Sequence, residues 1–230
     1  VSRPRALDLF CGAGGAAMGL HRAGFDVTGV DIRPQPRYPF GFVQADALRP
    51  PVRLGDFDFI WASPPCQAYS IGNTRWGYEY PDLIAEVRAL LADHPLTTIE
   101  NVPDAPIRAD IVLTGLMFDL PLVRRRHFEV QGFRPPLMLY REAVGTVSGG
   151  DLACVAGHGA NRGRWDRKWS ELPAGLRAKL RRRNNKAGWS EAMGIDWMAR
   201  AELAQAIPPD YAEFVGRAAL HSIRDGEVAA

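Results

Sequence analysis

At 230 residues, with 47% hydrophobic and 23% charged residues and a net charge of +2, the composition is that of an ordinary soluble chain with one sizeable core and room for a small appended lobe. No apolar run approaches the ~18–20 residues that cross a bilayer, and Val1-Ser2-Arg3-Pro4-Arg5 passes straight into a strand without a signal-peptide pattern. The three cysteines, Cys11, Cys66 and Cys154, lie too far apart for a disulfide framework or zinc spacing, so a reducing, cytoplasmic setting and no metal are expected.

In chain order, Ala6–Phe10 has the composition of a first strand, Cys11-Gly12-Ala13-Gly14-Gly15 forms a glycine-rich turn, and Ala16–Arg22 continues as a helix. Val27–Ile32 and Gly41–Asp46 follow as strands, each with an acid near its end, Asp31 and Asp46. Phe57–Ser63 is a fourth strand, stopped by Pro64-Pro65 just before Cys66. Pro81–Ala92 carries apolar residues near helical spacing behind a proline start, and Leu96–Val102 is the fifth strand. Strands separated by helices predict parallel crossovers and a sheet covered on both faces, an α/β fold. Arg124–Val130 reads as a further strand. From Gln131 to Gly188 no period is evident, and glycine, proline and arginine are abundant. Helical composition returns at Ala192, and Pro208-Pro209 opens an amphipathic helix over Asp210–Leu220. The expected organisation is a catalytic and cofactor-binding domain over 1–130, a small irregular lobe over 131–187, and a segment over 188–230 that returns to the first domain.

The turn after the first strand lets a ligand approach the backbone closely. Gly12-x-Gly14-x-x-Ala17, with Asp31 near the expected distance, also satisfies a dinucleotide fingerprint, so a nicotinamide cofactor is a fair rival at this point. Asp31 and Asp46 suit a ribose diol and an adenine amino group, although a solvated strand end explains either acid alone equally well. Asp8, an acid inside the first strand, favours a ligand with a cationic amino-acid moiety, which S-adenosylmethionine has and a dinucleotide lacks.

Taken in order, Asp8-Leu9-Phe10-Cys11-Gly12-Ala13-Gly14-Gly15, Ser63-Pro64-Pro65-Cys66-Gln67 and Glu100-Asn101-Val102 resemble the DNA (cytosine-5)-methyltransferase family. Val30-Asp31, Gln44-Ala45-Asp46, Arg124-Arg125-Arg126-His127-Phe128-Glu129 and Ala206-Ile207-Pro208-Pro209 fit further motifs of that family, and Pro81-Asp82-Leu83-Ile84 with Leu113-Thr114-Gly115-Leu116-Met117-Phe118 is similar to its compact phage and bacterial members. The resemblance covers about 6–130 and 188–220. Two segments depart from it: Ala204-Gln205 stands where the family usually has Gly-Asn, and Leu122 where many members have glutamine.

The resemblance implies a Rossmann-like S-adenosylmethionine-dependent fold with a small target-recognition lobe. It also implies methyl transfer to carbon 5 of a flipped-out cytosine in DNA through a covalent Cys66 adduct, leaving S-adenosylhomocysteine. Cys66 would be the nucleophile, Glu100 the acid at N3, and Arg124 and Arg126 the groups holding the base. Asp8, Phe10, Gly12, Ala13, Gly14, Gly15, Asp31, Ile32, Asp46, Ala47 and Pro65 would hold the cofactor. Gln67, Ser70 and Arg75 would meet DNA from a loop over Gln67–Tyr80, in which Ile71, Arg75 and Trp76 suit the space left by a flipped base. Arg162, Arg164, Arg181, Arg182 and Arg183 would meet DNA from the basic lobe, where Trp165 and Trp169 lie among the charges. Cys154 and His158 are expected to be structural. The implied protein is a monomer that acts on DNA away from membranes in a bacterial or phage-infected cell; a cognate restriction endonuclease is a candidate partner, and the sequence does not tell whether one is paired with it. A tRNA methyltransferase of the same fold and a catalytically silent DNA-binding relative are the rival readings.

Overall fold

Alternating apolar runs and turn residues build a seven-stranded sheet in this computed structural model, with strand order β3-β2-β1-β4-β5-β7-β6. The structure describes residues 2–69, 80–122, 124–134 and 185–226. The strands are β1 (Arg5–Leu9), β2 (Asp26–Asp31), β3 (Gly41–Gln44), β4 (Phe59–Ala62), β5 (Thr97–Asn101), β6 (Ile111–Leu113) and β7 (Arg126–Gln131). The first five run parallel, whereas β7 runs antiparallel to both β5 and β6. The sheet is therefore mixed. The crossover expectation holds where α-helices join β1 to β2 and β4 to β5, but no α-helix separates β5, β6 and β7 among the described residues, and β7 turns back to run antiparallel between β5 and β6.

Both faces of the sheet are covered, which is why the central strands are apolar almost throughout. On one face α1 (Gly15–Ala23) and α5 (Pro209–Asp225) pack with Ala6, Phe25, Phe59, Trp61, Phe128 and Tyr211. On the other, α2 (Ile84–Leu91) packs with Leu7, Leu9, Ile60, Val87, Leu91 and Ile99. A third cluster joins α3 (Lys186–Met193) and α4 (Arg200–Gln205) to Ala13 of the glycine turn through Trp189, Met193, Met198 and Leu203.

Local chemistry sets the helix ends. Helix α2 begins three residues after Pro81 because the Asp82 carboxylate accepts the Ile84 N–H at 3.0 Å, and the Tyr69 hydroxyl also donates to Asp82. Helix α3 begins before Ala192 because the Asn185 side chain accepts the Gly188 N–H at 2.8 Å. Helix α5 has Pro209 at its first position, where a missing N–H costs nothing.

The α1–α5 contact depends on Gly19. A Cβ there would lie 2.1 Å from the Pro209 carbonyl oxygen and 2.7 Å from the Glu213 nitrogen. Gly19→Ala is expected to lower stability by about 1–3 kcal/mol, because two backbones must separate. Urea unfolding checks this, and an unchanged midpoint would show that the helices part freely.

Candidate active site

In an open α/β sheet, ligands settle at the carboxyl ends of the strands where the strand order reverses. Here that point lies between β1 and β4: β2 and β3 extend from one side of β1, and β4 and β5 from the other. The glycine turn follows β1 and Ser63-Pro64-Pro65-Cys66 follows β4, so two segments about fifty residues apart in sequence become neighbours.

Main-chain bonds fix the cysteine segment. The Ser63 N–H donates to the Leu9 carbonyl at 3.1 Å, which extends the β1–β4 pairing by one residue. The Asn101 amide donates to the Pro64 carbonyl at 3.1 Å, tying the end of β5 to the same turn. The Cys66 carbonyl then accepts the Tyr69 N–H at 3.1 Å, closing a single 3-10 turn over Gln67–Tyr69. Cys66 is half-buried, whereas Cys11 is 7% exposed and burial pushes its thiol far up from the usual range. Of the two thiols among the described residues, Cys66 is the one suited to reaction.

Glu100, at 6% exposure, lies in β5, and Arg126 Nε meets its Oε1 at 2.9 Å. Burial pushes the Glu100 carboxyl up from the ordinary range, while Arg126, the Ser63 hydroxyl and Arg124 pull it back. Arg124 is buried and donates from Nη2 to the Ala204 carbonyl at 2.9 Å, and its own carbonyl accepts the Tyr211 hydroxyl at 2.8 Å. Burial and Arg126 pull the Arg124 guanidinium down, while Glu100 and Cys66, its electrostatic neighbours, oppose them. The structure thus gathers Cys66, Glu100, Arg124 and Arg126 into one group. Glu129, from the same sequence motif as Arg126, lies on the other face of the sheet. There it meets Arg88 Nη2 at 2.7 Å and Arg108 Nη1 at 3.2 Å, beside a cavity of about 220 Å³ that none of the four lines.

Around the glycine turn, Asp31 Oδ2 accepts the Gly12 N–H at 3.0 Å and Oδ1 accepts the Arg33 N–H at 2.9 Å. A carboxylate has about four acceptor positions, so capacity remains for a diol. Gly12, with φ 48°, has open space where a Cβ would stand, and Ile32 beside Asp31 is 66% exposed. Phe10 holds φ 59°, an uncommon conformation for a bulky residue, at the point where the chain leaves β1. Asp46 is exposed and accepts the Leu48 N–H at 3.0 Å, and Ala47 is buried beside it. Gly14 and Gly15 are packed under Tyr38 and Ile207 respectively, and the Ala13 carbonyl accepts the Trp197 indole N–H at 2.8 Å. Pro65 is half-buried between these elements and Cys66.

Asp8 is fully buried, and neither of its oxygens has a hydrogen-bond partner among the described residues. It is paired in register with Gly29 on β2 and Trp61 on β4. Burial and Asp31 push its carboxyl well up, against a weaker opposing pull from the Ala17 amide. Asp8 therefore stands within the core, not at the mouth of the turn.

Gln67 is half-buried, with Oε1 unpartnered among the described residues. Ser70, Ile71, Arg75, Trp76, Cys154, His158, Arg162, Arg164, Trp165, Trp169, Arg181, Arg182 and Arg183 lie outside the described residues, as does most of the 131–187 lobe. Among the described residues no cluster of His, Cys, Asp or Glu is arranged to hold a metal, and no helix is long and apolar enough to cross a membrane. Sequence reasoning passed over Trp61 and Tyr211, and took Ser63 only as part of a motif. Nothing in the sequence marks them, because their contacts arise from strand register and from the return of α5.

No family model matches the chain. It is 36% identical over 92 residues to the Type II methyltransferase M.XorII of Xanthomonas oryzae pv. oryzae, a match covering 33% of this chain and 22% of that protein. The chain thus matches about a fifth of the length of this curated relative. Two crystal structures align over 96% of the chain: a prophage-encoded protein assigned as a DNA modification methyltransferase (E. coli; TM-score 0.55, 17% identity, 99% of that chain) and the S. pombe Dnmt2 methyltransferase (TM-score 0.58, 14% identity, 98% of that chain). All three of these proteins carry the name methyltransferase. At these identities the two structures speak for the fold, and the α/β sheet described above is a Rossmann-like methyltransferase fold.

Proposed function

We propose that the chain transfers a methyl group from S-adenosylmethionine to carbon 5 of a cytosine in DNA, with the target base turned out of the helix. The observation that carries this reading is the grouping of the Cys66 thiol with a buried Glu100 carboxyl and two arginines at the switch point of the sheet. Carbon 5 of cytosine is a poor nucleophile. Addition of Cys66 Sγ to carbon 6 pushes the ring electrons toward carbon 5 and N3, and Glu100 supplies the proton that N3 takes up. Arg124 puts positive charge where the sulfur carries negative charge, and Arg126 orients the Glu100 carboxyl. After transfer, the carbon 5 hydrogen leaves as a proton, the carbon 6–sulfur bond breaks and N3 returns its proton to Glu100, restoring the ring, the acid and the thiolate.

The residues around the glycine turn fit the cofactor: an acid with spare acceptor capacity, an apolar side chain beside it, and a backbone turn open to a ligand. Asp31 would hold the ribose hydroxyls, Ile32 and Ala47 the faces of the adenine, and Asp46 its amino group, while Phe10, Gly12–Gly15 and Pro65 line the remainder. Bound S-adenosylmethionine supplies an electrophilic methyl group to carbon 5. Asp8 supports these elements from below.

Expression in a host without cytosine methylation, followed by bisulfite sequencing, tests this function and reports base and context together. Duplex DNA should gain 5-methylcytosine; methylation of structured RNA alone would transfer the activity to the RNA reading, and methylation of neither would favour a silent relative. S-adenosylhomocysteine should also raise the melting temperature, a stabilisation of about 2.7 kcal/mol at a hundred times its Kd. Asp31→Ala should weaken that effect. Stabilisation by NADH and not by S-adenosylhomocysteine would refute the cofactor assignment.

A further inference from the structure

Trp61, Ser63 and Glu100 are neighbours at the ends of β4 and β5. Trp61, in β4, is fully buried and stacks edge-on against Phe128 with ring centroids 5.7 Å apart, so its indole is held by the core. Its Nε1 donates to Ser63 Oγ at 2.8 Å. Ala62 pairs in register with Ile99, so the next residues, Ser63 and Glu100, stand side by side at the ends of β4 and β5, and the Glu100 carboxyl meets Arg126 Nε at 2.9 Å. Donor and acceptor inventories leave one arrangement. An indole N–H only donates, so Ser63 Oγ must accept from Trp61, and the serine's single proton remains for Glu100.

We propose that Ser63 is a positioning residue for Glu100, its hydroxyl oriented by the core-anchored Trp61 indole so that it holds the buried carboxyl in place three residues from Cys66. This deepens the proposed reaction and rests on Glu100 being its acid. Arg126 meets the carboxyl from β7, and Ser63 stands beside it just past the end of β4. The two differ in kind. The arginine approaches from β7 with a full charge, whereas the serine is neutral and belongs to the same turn as the nucleophile. A shift of that turn would therefore carry acid and thiol together, keeping their spacing. The groups facing Glu100 are Arg126 and Arg124 from the β7 side and Ser63 from β4, with Asp8 and Tyr211 as more distant electrostatic neighbours.

The sign of the effect follows. A donor to the carboxylate favours its ionised form, so removing the hydroxyl favours the neutral acid. In a kcat/KM profile against pH, measured with tritiated S-adenosylmethionine and unmethylated genomic DNA, activity should fall on the alkaline side as Glu100 loses its proton. Ser63→Ala should move that limb to higher pH and lower the maximal rate about tenfold, because the carboxyl is less well aimed. Ser63→Thr, which keeps a hydroxyl, should restore both. An unmoved limb in Ser63→Ala, or a limb moved equally in Ser63→Thr, overturns the proposal.

A second measurement does not depend on turnover. The folded-state carboxyl of Glu100 is raised, so the stability it contributes is present below the ordinary carboxylate range and is lost as pH rises through its folded value. The melting difference between the wild type and Glu100→Gln should follow that loss. In the Ser63→Ala background the loss should extend to higher pH. If the wild type methylates nothing, the functional reading fails, and this melting comparison still decides whether Ser63 governs Glu100. Coincident melting curves in the two backgrounds overturn it.

Discussion

DNA carrying 5-fluorocytosine at the target position, incubated with the protein and S-adenosylmethionine, should yield a protein–DNA band that survives denaturant. The reaction proposed for Cys66 joins sulfur to carbon 6 until the carbon 5 hydrogen leaves, and fluorine cannot leave as a proton, so the adduct persists. Cys66→Ser should reduce the band below detection, since an alcohol is far less ionised than a thiol at neutral pH and far less nucleophilic. Cys11 offers a control inside the same fold. Its thiol is buried at the glycine turn, on the Gly29 and Tyr38 side, so Cys11→Ala should retain the band and lose only some stability. Cys154→Ala should retain it too. A methylated product from Cys66→Ser at the normal rate would remove the thiol from the chemistry and with it the whole mechanism.

The parts legible in the sequence were those in which the backbone itself marks the site. Gly12–Gly15 after an apolar run and Pro64-Pro65 before Cys66 announce a turn at a strand end, and the strand order then brings both turns to one place. Asp31 was legible for the same reason, as an acid at a strand end. The antiparallel placement of β7 was not, because it depends on which edge the chain meets after β6, and Ile111–Leu113 is too short to show a period. Nor was the depth of Asp8. An acid within a strand looks accessible until Tyr38, from the loop before β3, is seen packed over Gly29 beside it. The link from Trp61 through Ser63 to Glu100 joins β4 to β5, and local spacing carries no trace of a contact set by register. The join between Arg124 and Ala204 likewise spans 80 positions, and it falls in the Ala204-Gln205 pair, one of the two places where the sequence departs from the resemblance.

Glu100→Gln is expected to lower the rate of methyl transfer by about 10²–10⁴-fold, the usual range for removing a positioned general acid. The amide matches the carboxyl in size, so the effect isolates the proton and the charge. Both matter here. Glutamine cannot give N3 a proton, and it leaves Arg126, now only 13% exposed at its side chain, without its ion pair. The loss of that pair costs stability at neutral pH, while the removal of a desolvated carboxylate returns some of it, so the net change in melting temperature should be small beside the change in rate. The pH dependence separates the two effects. Burial holds the Glu100 carboxyl above its ordinary range, so the acid form persists to higher pH than an exposed glutamate would allow, and wild-type activity should decline only as pH rises through that raised value. The residual activity of Glu100→Gln should lack this decline. S-adenosylhomocysteine should stabilise both proteins equally, since Asp31 and the glycine turn are untouched. An unchanged rate in Glu100→Gln with cofactor binding intact would leave Glu100 as a partner of Arg126 only, and the acid at N3 would have to come from elsewhere.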